Sequence, residues 1–181
     1  MHNILRAIAF GLVSLSVLPV CAMKNRHEFV SQTMVVNAPM PFVWEAIKIA
    51  RMSDPAHRRV ISTNGSDYIV EETFSKIPVL GNVKCRYAEH ETDGRKVDYQ
   101  MISSDKFIAF EGEWELHPLN AGTQTALTLS SFVDTGLPFG SDITRDRTKN
   151  SVATRLNAVQ VLVDGDNRSR LLALEKTDHG R

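Results

Sequence analysis

The side chains best suited to chemistry do not assemble into a catalytic pattern along this chain. His57, His90, His117 and His179 are scattered, with no pair at i and i+4 to place two imidazoles on one helical face against a metal ion. Glu111, Glu113 and Glu115 bring three carboxylates close together, and paired carboxylates can serve as general acid and base. Their period of two, opposite an apolar series, is instead that of a solvated strand face. Cys85 could act as a nucleophile only beside a base, and a buried lone cysteine behaves as a small hydrophobe. There is no Gly-x-Ser-x-Gly elbow and no glycine-rich phosphate cradle. The residues therefore lead to no catalytic residue, no metal and no cofactor.

What they offer is a lining. Alternation along the β-like runs turns Val70, Phe74, Cys85, Tyr87, Tyr99, Met101, Phe110, Trp114, Leu127 and Leu129 to one side, toward Val152 and Leu156 of a late helix. Such a set makes an ordinary core or the wall of an apolar pocket. Tyr87, Tyr99 and Trp114 are the best ligand contacts in it, because each carries a polar atom that needs a partner once buried. Lys84, Arg86 and His90 share the opposite, outward face, and a register one residue away would bring Arg86 inside to meet an anionic headgroup.

These side chains must be positioned by a first strand over Phe29 to Val36, ended by Asn37-Ala38-Pro39, and by a helix that starts among Pro39 and Pro41. Val43, Ala46, Ile47 and Ala50 form that helix's apolar face, and Ser53-Asp54-Pro55 breaks it. A short second helix or turn is expected at Ala56 to Arg59. From Val60 to Val133 the pattern is a meander, with clear strands at Tyr68 to Phe74, Val83 to His90, Val97 to Ile102, Phe107 to Leu116 and Thr125 to Val133. Turn signals Asn64-Gly65, Asp93-Gly94 and Ala121-Gly122 punctuate it. In the fourth of those strands Ile108, Phe110, Gly112, Trp114 and Leu116 alternate with Ala109 and the three glutamates.

The last helix begins at Ser141 or Asp142 and is expected to stop at Gly165, leaving 165–181 as a polar, frayed tail. Its stripe of Val152, Leu156, Val159 and Val163 runs backward into Thr148, Lys149 and Arg145. Only the second half suits a dry core, so the first half should cover something polar or open.

Before this domain, Arg6 is followed by an uncharged apolar run from Ala7 to Val20 and by Val20-Cys21-Ala22, the shape of a signal peptide over residues 1–22. The run is shorter than the roughly 20 residues a membrane-crossing helix needs. Export to the periplasm or the cell exterior is expected, with lipid anchoring through Cys21 the alternative. The whole chain has 21 basic and 21 acidic side chains, so losing Arg6 leaves a net charge of about −1, no electrostatic footprint for nucleic acid. Of two cysteines, Cys85 would remain alone, so stability rests on the apolar core.

Val35-Val36-Asn37-Ala38-Pro39, then Phe42-Val43-Trp44-Glu45-Ala46-Ile47, and later Leu137-Pro138 between the last strand and last helix, resemble the START-like (SRPBCC) superfamily of lipid-transfer, polyketide-cyclase and coenzyme-Q-binding proteins. The resemblance runs from about His27 to Asp164. It implies an α+β helix-grip domain over 23–164, a curved antiparallel sheet wrapped around the long C-terminal helix, with one or two short helices after the first strand. It also implies a cavity between sheet and helix, in agreement with the helix's polar first half. The function expected is an exported binding or carrier protein for an apolar small molecule: a lipid, an isoprenoid or a quinone-like compound. A polyketide cyclase/aromatase-like enzyme using the same cavity and a protein-interaction module are the alternatives. The apolar loops Ile77-Pro78-Val79-Leu80-Gly81 and Gly136-Leu137-Pro138-Phe139-Gly140 either pack on the core or form a rim for transient contact with a membrane or protein. Ligand identity and oligomeric state stay open.

Overall fold

The structure, a computed structural model, describes residues 28–137 and 141–178, with 141, 167, 168 and 170–178 as backbone only. The leader, including the cut after Ala22 and the Cys21 alternative, lies outside the described residues, as do Pro138, Phe139 and Gly140 of the second apolar loop and His179. Among the described residues no helix is long and apolar enough to cross a membrane.

Strand β1 (Val30–Val36) leads into helix α1 (Met40–Met52), and a meander follows: β2 (Arg58–Asn64), β3 (Asp67–Ile77), β4 (Gly81–Thr92), β5 (Lys96–Ser104), β6 (Ala109–Leu119) and β7 (Gln124–Asp134). Helix α2 (Ser141–Asp178) closes the chain. The strands form one antiparallel sheet in the order β1-β7-β6-β5-β4-β3-β2. Each neighbour in the meander pairs with the next, and only β1 joins across a long connection, registering Val36 with Thr125 and Val30 with Ser131. The sheet is curved, and register shifts at Val60/Ser62, Arg86/Tyr87 and Phe74/Ile77 contribute to the bending, since a bulge kinks its strand.

Pro39 caps α1 in extended conformation and Pro41 sits in its first turn, where a missing amide hydrogen costs nothing. The apolar face expected for α1 is buried at Val43, Ala46 and Ile47, and Arg51 joins it. Helix α2 packs on β7, β1 and α1, burying Thr148, Val152, Leu156, Val159 and Val163. The core of sheet and helices includes Val36, Val70, Val83, Val97, Leu116, Leu127 and Leu129.

Of the helix or turn expected at Ala56 to Arg59, the structure has the turn, which leads straight into β2, an edge strand whose only partly buried residues are Arg58 and Val60. Two expectations are corrected. Ile108 precedes β6 and is exposed rather than inward, because strand alternation starts only at Ala109. Helix α2 runs through Gly165 to Asp178. A glycine costs only about 1 kcal/mol within a helix, and the leucines, alanine and glutamate that follow are good helix formers that let it propagate.

Candidate functional site

The sheet's curvature holds β3, β5, β6 and β7 away from the first half of α2, leaving a cavity of about 320 Å³. Phe74, Phe107, Phe110, Leu129, Val133 and Val152 supply its apolar walls, and Ile77, Pro78, Val79 and Leu137 its outer end. From α2 come Ile143, Thr144, Arg147, Thr148, Ser151 and Arg155. The polar first half of the helix thus roofs an open space, as its broken apolar stripe requires.

Phe110 is the hub of the aromatic wall. Its ring lies 5.2 Å from Phe74 and 5.2 Å from Tyr87, both edge-on, and 5.0 Å from Tyr99. Phe107 stacks obliquely on Phe74 at 5.4 Å. Offset and edge-on pairs of this kind lock side chains in place. Gly112 makes room for Tyr99 across the β5–β6 pair: a methyl group there would overlap the tyrosine ring and the Ser130 carbonyl.

The cavity's inner end is ionic. Arg155 Nη2 donates to Glu72 Oε1 at 2.7 Å, and the Tyr87 hydroxyl donates to Glu72 Oε2 at 2.6 Å. Arg58 Nε reaches the Tyr87 oxygen at 3.2 Å, while its Nη2 bonds Glu89 Oε2 at 2.7 Å. Arg51 bonds Glu89 as well and reaches Glu91 Oε1 at 2.7 Å. A continuous chain of charge-assisted bonds therefore crosses the interior from α1 to α2. Behind it lies a second hollow of about 270 Å³, bordered by Arg51, Asp54, His57, Arg58, Tyr87, Glu89 and Trp114. Arg155, Tyr99, Phe110 touch both spaces and form the partition.

Burial, reinforced by the Glu72 and Glu89 carboxylates, pushes the Tyr87 hydroxyl well above its ordinary range. Burial likewise raises Tyr99 to about 12. Cys85, also raised to about 12 by burial and by the carboxylates of Glu72 and Asp105, is a thiol and not a thiolate at neutral pH. The Glu72 carboxylate holds Arg155 charged against the cost of burial. The tyrosine hydroxyls are thus protonated donors already in use, Tyr87 toward Glu72 and Tyr99 toward the Ser130 carbonyl.

Of the residues picked from sequence, Phe74, Tyr99, Phe110, Leu129 and Val152 line the main cavity, and Tyr87 and Trp114 line the second hollow with Tyr99 and Phe110. Val70, Cys85, Leu127 and Leu156 are buried, and Met101 partly so, but they border neither space. Arg86 is on the outer face bound to Glu71 at 3.2 Å, which excludes the shifted register that would have brought it inside. The outward glutamates meet solvent and basic neighbours, with Glu113 2.8 Å from Lys96. Sequence reasoning missed Glu72, Glu89, Arg51, Arg58 and Arg155. Alternation carried part of the signal, for Glu72 lies between Val70 and Phe74, and Glu89 two residues after Tyr87, on the inward parity.

No family model matches the sequence, and no curated protein does. Solved structures match the fold. The START superfamily protein from Mycobacterium smegmatis superposes with a TM-score of 0.59 at 14% identity, over 76% of this chain and 97% of that one. The aromatase/cyclase Zhui from Streptomyces sp. R1128 gives 0.57 at 17%, over 80% and 95%. Norcoclaurine synthase from Thalictrum flavum gives 0.56 at 15%, over 75% and 86%. At these identities the likeness is one of fold: this chain has the START-like helix-grip architecture. Activity has to be argued from its own site.

Proposed function

We propose that this protein is a binding or carrier protein that holds an apolar small molecule, of lipid, isoprenoid or quinone-like character, between the sheet and the first half of α2. The observation that carries this is the cavity of about 320 Å³, walled by Phe74, Phe107, Phe110, Leu129 and Val133 and left unfilled by the chain's own side chains. Its size falls in the lower range of small-molecule sites. The aromatic wall supplies the apolar surface, and the ionic partition supplies a fixed inner boundary. Val79, 85% exposed at the cavity's outer end, supports the further reading that this rim touches a membrane or a partner during loading. Export through the leader over residues 1–22 belongs to the same proposal and rests on the sequence alone.

A second reading, an enzyme on a polyketide-like or aromatic substrate, draws on His57, whose Nδ1 lies 2.9 Å from Asp54 Oδ2 at the border of the second hollow. An oriented imidazole is a workable proton carrier. Against it, the hydroxyls at the partition are pushed away from neutral titration.

The test is native mass spectrometry and solvent extraction of protein isolated from its own compartment, with a Ser151→Phe variant that fills the cavity. The carrier reading expects an apolar molecule recovered unchanged from the wild type and absent from the variant. Equal recovery from both, or none from either, refutes it.

A further inference from the structure

We infer that the cavity's occupant is an amphipathic anion, its acid group held by Arg147 at the mouth and its apolar body lying along Phe74, Phe107 and Phe110. This rests on the carrier reading and names the ligand class. Among the described residues that line the cavity there are two cations, Arg147 and Arg155, and no carboxylate. The two arginines differ in what they face. Arg155 is neutralised by Glu72 at 2.7 Å, so the inner end presents little net charge. The Arg147 side chain makes no ion pair or hydrogen bond with the described residues, although Arg145, two positions earlier on the same helix, pairs with Glu28 at 2.6 Å.

The helix itself gives Arg147 no acid. Three and four residues away stand Ile143, Thr144, Asn150 and Ser151, the positions from which a helical neighbour could reach it. Ile143 and Val79, both exposed and both lining the same opening, give this cation apolar company. Apolar walls lower the local dielectric and strengthen an ion pair formed there. Ser151, one turn further along α2, borders the cavity with a hydroxyl that has no hydrogen-bond partner among the described residues. A guanidinium fork and a hydroxyl one turn apart match the oxygens of a carboxylate or similar acid.

The experiment displaces the neutral fluorophore N-phenyl-1-naphthylamine from purified protein with decanoate or decan-1-ol, two ligands that share a chain and differ in charge. In the wild type, decanoate should compete about three- to tenfold more strongly than the alcohol, the range of a partly screened, charge-assisted contact. That preference should vanish in Arg147→Gln, return in part in Arg147→Lys, and shrink in high salt. Arg147 is exposed, so the Gln variant should keep the wild-type melting temperature. Equal competition by both ligands in the wild type, or a preference that survives in Arg147→Gln, overturns the anion inference and leaves the cavity reading standing. Failure of the fluorophore and of both ligands to bind overturns the carrier reading itself.

Discussion

Removing the charge of Glu72 should destabilise the protein far more than removing a surface carboxylate. The Glu72 side chain is 13% exposed and accepts bonds from Tyr87 and Arg155, whose own side chain is 30% exposed. In Glu72→Gln the amide fits the same space: its oxygen can accept from the guanidinium, and its NH2 can donate to the Tyr87 oxygen. The bond to Arg155 survives, but the charge is lost and the Tyr87 hydroxyl, whose oxygen already accepts from Arg58, loses the acceptor for its own proton. Stranding a fully buried partner costs about 3–5 kcal/mol, and the water reaching Arg155 reduces this to about 1–2 kcal/mol. Glu72→Leu also removes both acceptors, adding about 1–2 kcal/mol for unsatisfied donors, so a loss of about 3 kcal/mol is expected. Against a total stability of about 5–15 kcal/mol this is a large fraction. The double variant Glu72→Leu, Arg155→Leu removes charge and counter-charge together and should be more stable than Glu72→Leu alone. Equilibrium urea unfolding followed by the fluorescence of Trp44 and Trp114 measures these three variants and the Arg155→Leu single. A Gln variant as stable as wild type, or a double variant whose loss equals the sum of its singles, would refute the reasoning.

Gly112→Ala should cost about 3 kcal/mol and shrink fluorophore binding, because the new methyl displaces the Tyr99 ring that walls the cavity; a fully folded variant with unchanged binding contradicts this. Val79, a β-branched residue at φ 67°, carries strain of about 1–2 kcal/mol that glycine would relieve. Offset by about 0.4–1 kcal/mol of added unfolded-state entropy, Val79→Gly should raise the melting temperature slightly, and a lower one counts against the strain. Cys85 should react with a thiol reagent at pH 8 only as fast as the protein opens, in contrast to rapid labelling in urea. Its folded pKa of about 12 lies above the ordinary 9.0, and that of Tyr99, also about 12, above 10.0. The folded state therefore keeps protons the unfolded chain releases, so this stability is whole below about pH 9 and is lost as pH rises toward 12. Tyr99→Phe should make alkaline unfolding less steep, as read by unfolding midpoints from pH 8 to 12.

Patterning made some parts of this architecture legible. The inward face of β6 follows from strict alternation at Phe110, Trp114 and Leu116, and the open space under α2 from a stripe that turns polar at Thr148. The ionic partition was harder to see. Arg51 sits four residues after Ile47 and so shares the buried face of α1, yet an arginine there reads as solvated until its partners are known. Those partners, Glu89 and Glu91, lie 38 and 40 residues away, a separation set by sheet topology and not by any local period. Glu72 and Glu89 have the inward parity, but the alternation of apolar residues does not by itself point to them. An acid on the inward parity of a buried strand demands a cation, and that demand is the usable signal. Strand β2 escaped notice because an exposed edge strand with little apolar content has no alternation to show.

The interior is two rooms rather than one tunnel, and this fixes how a guest's length is judged. A wall of packed methyl groups yields by degrees as a molecule grows, each extra carbon costing a little more. A wall held by Arg155 and Glu72 does not, since passing it means separating opposite charges before any room is gained. Along a homologous series of chains, affinity should climb with each added methylene and then stop abruptly, making this salt bridge a ruler whose mark a single pair of substitutions could move.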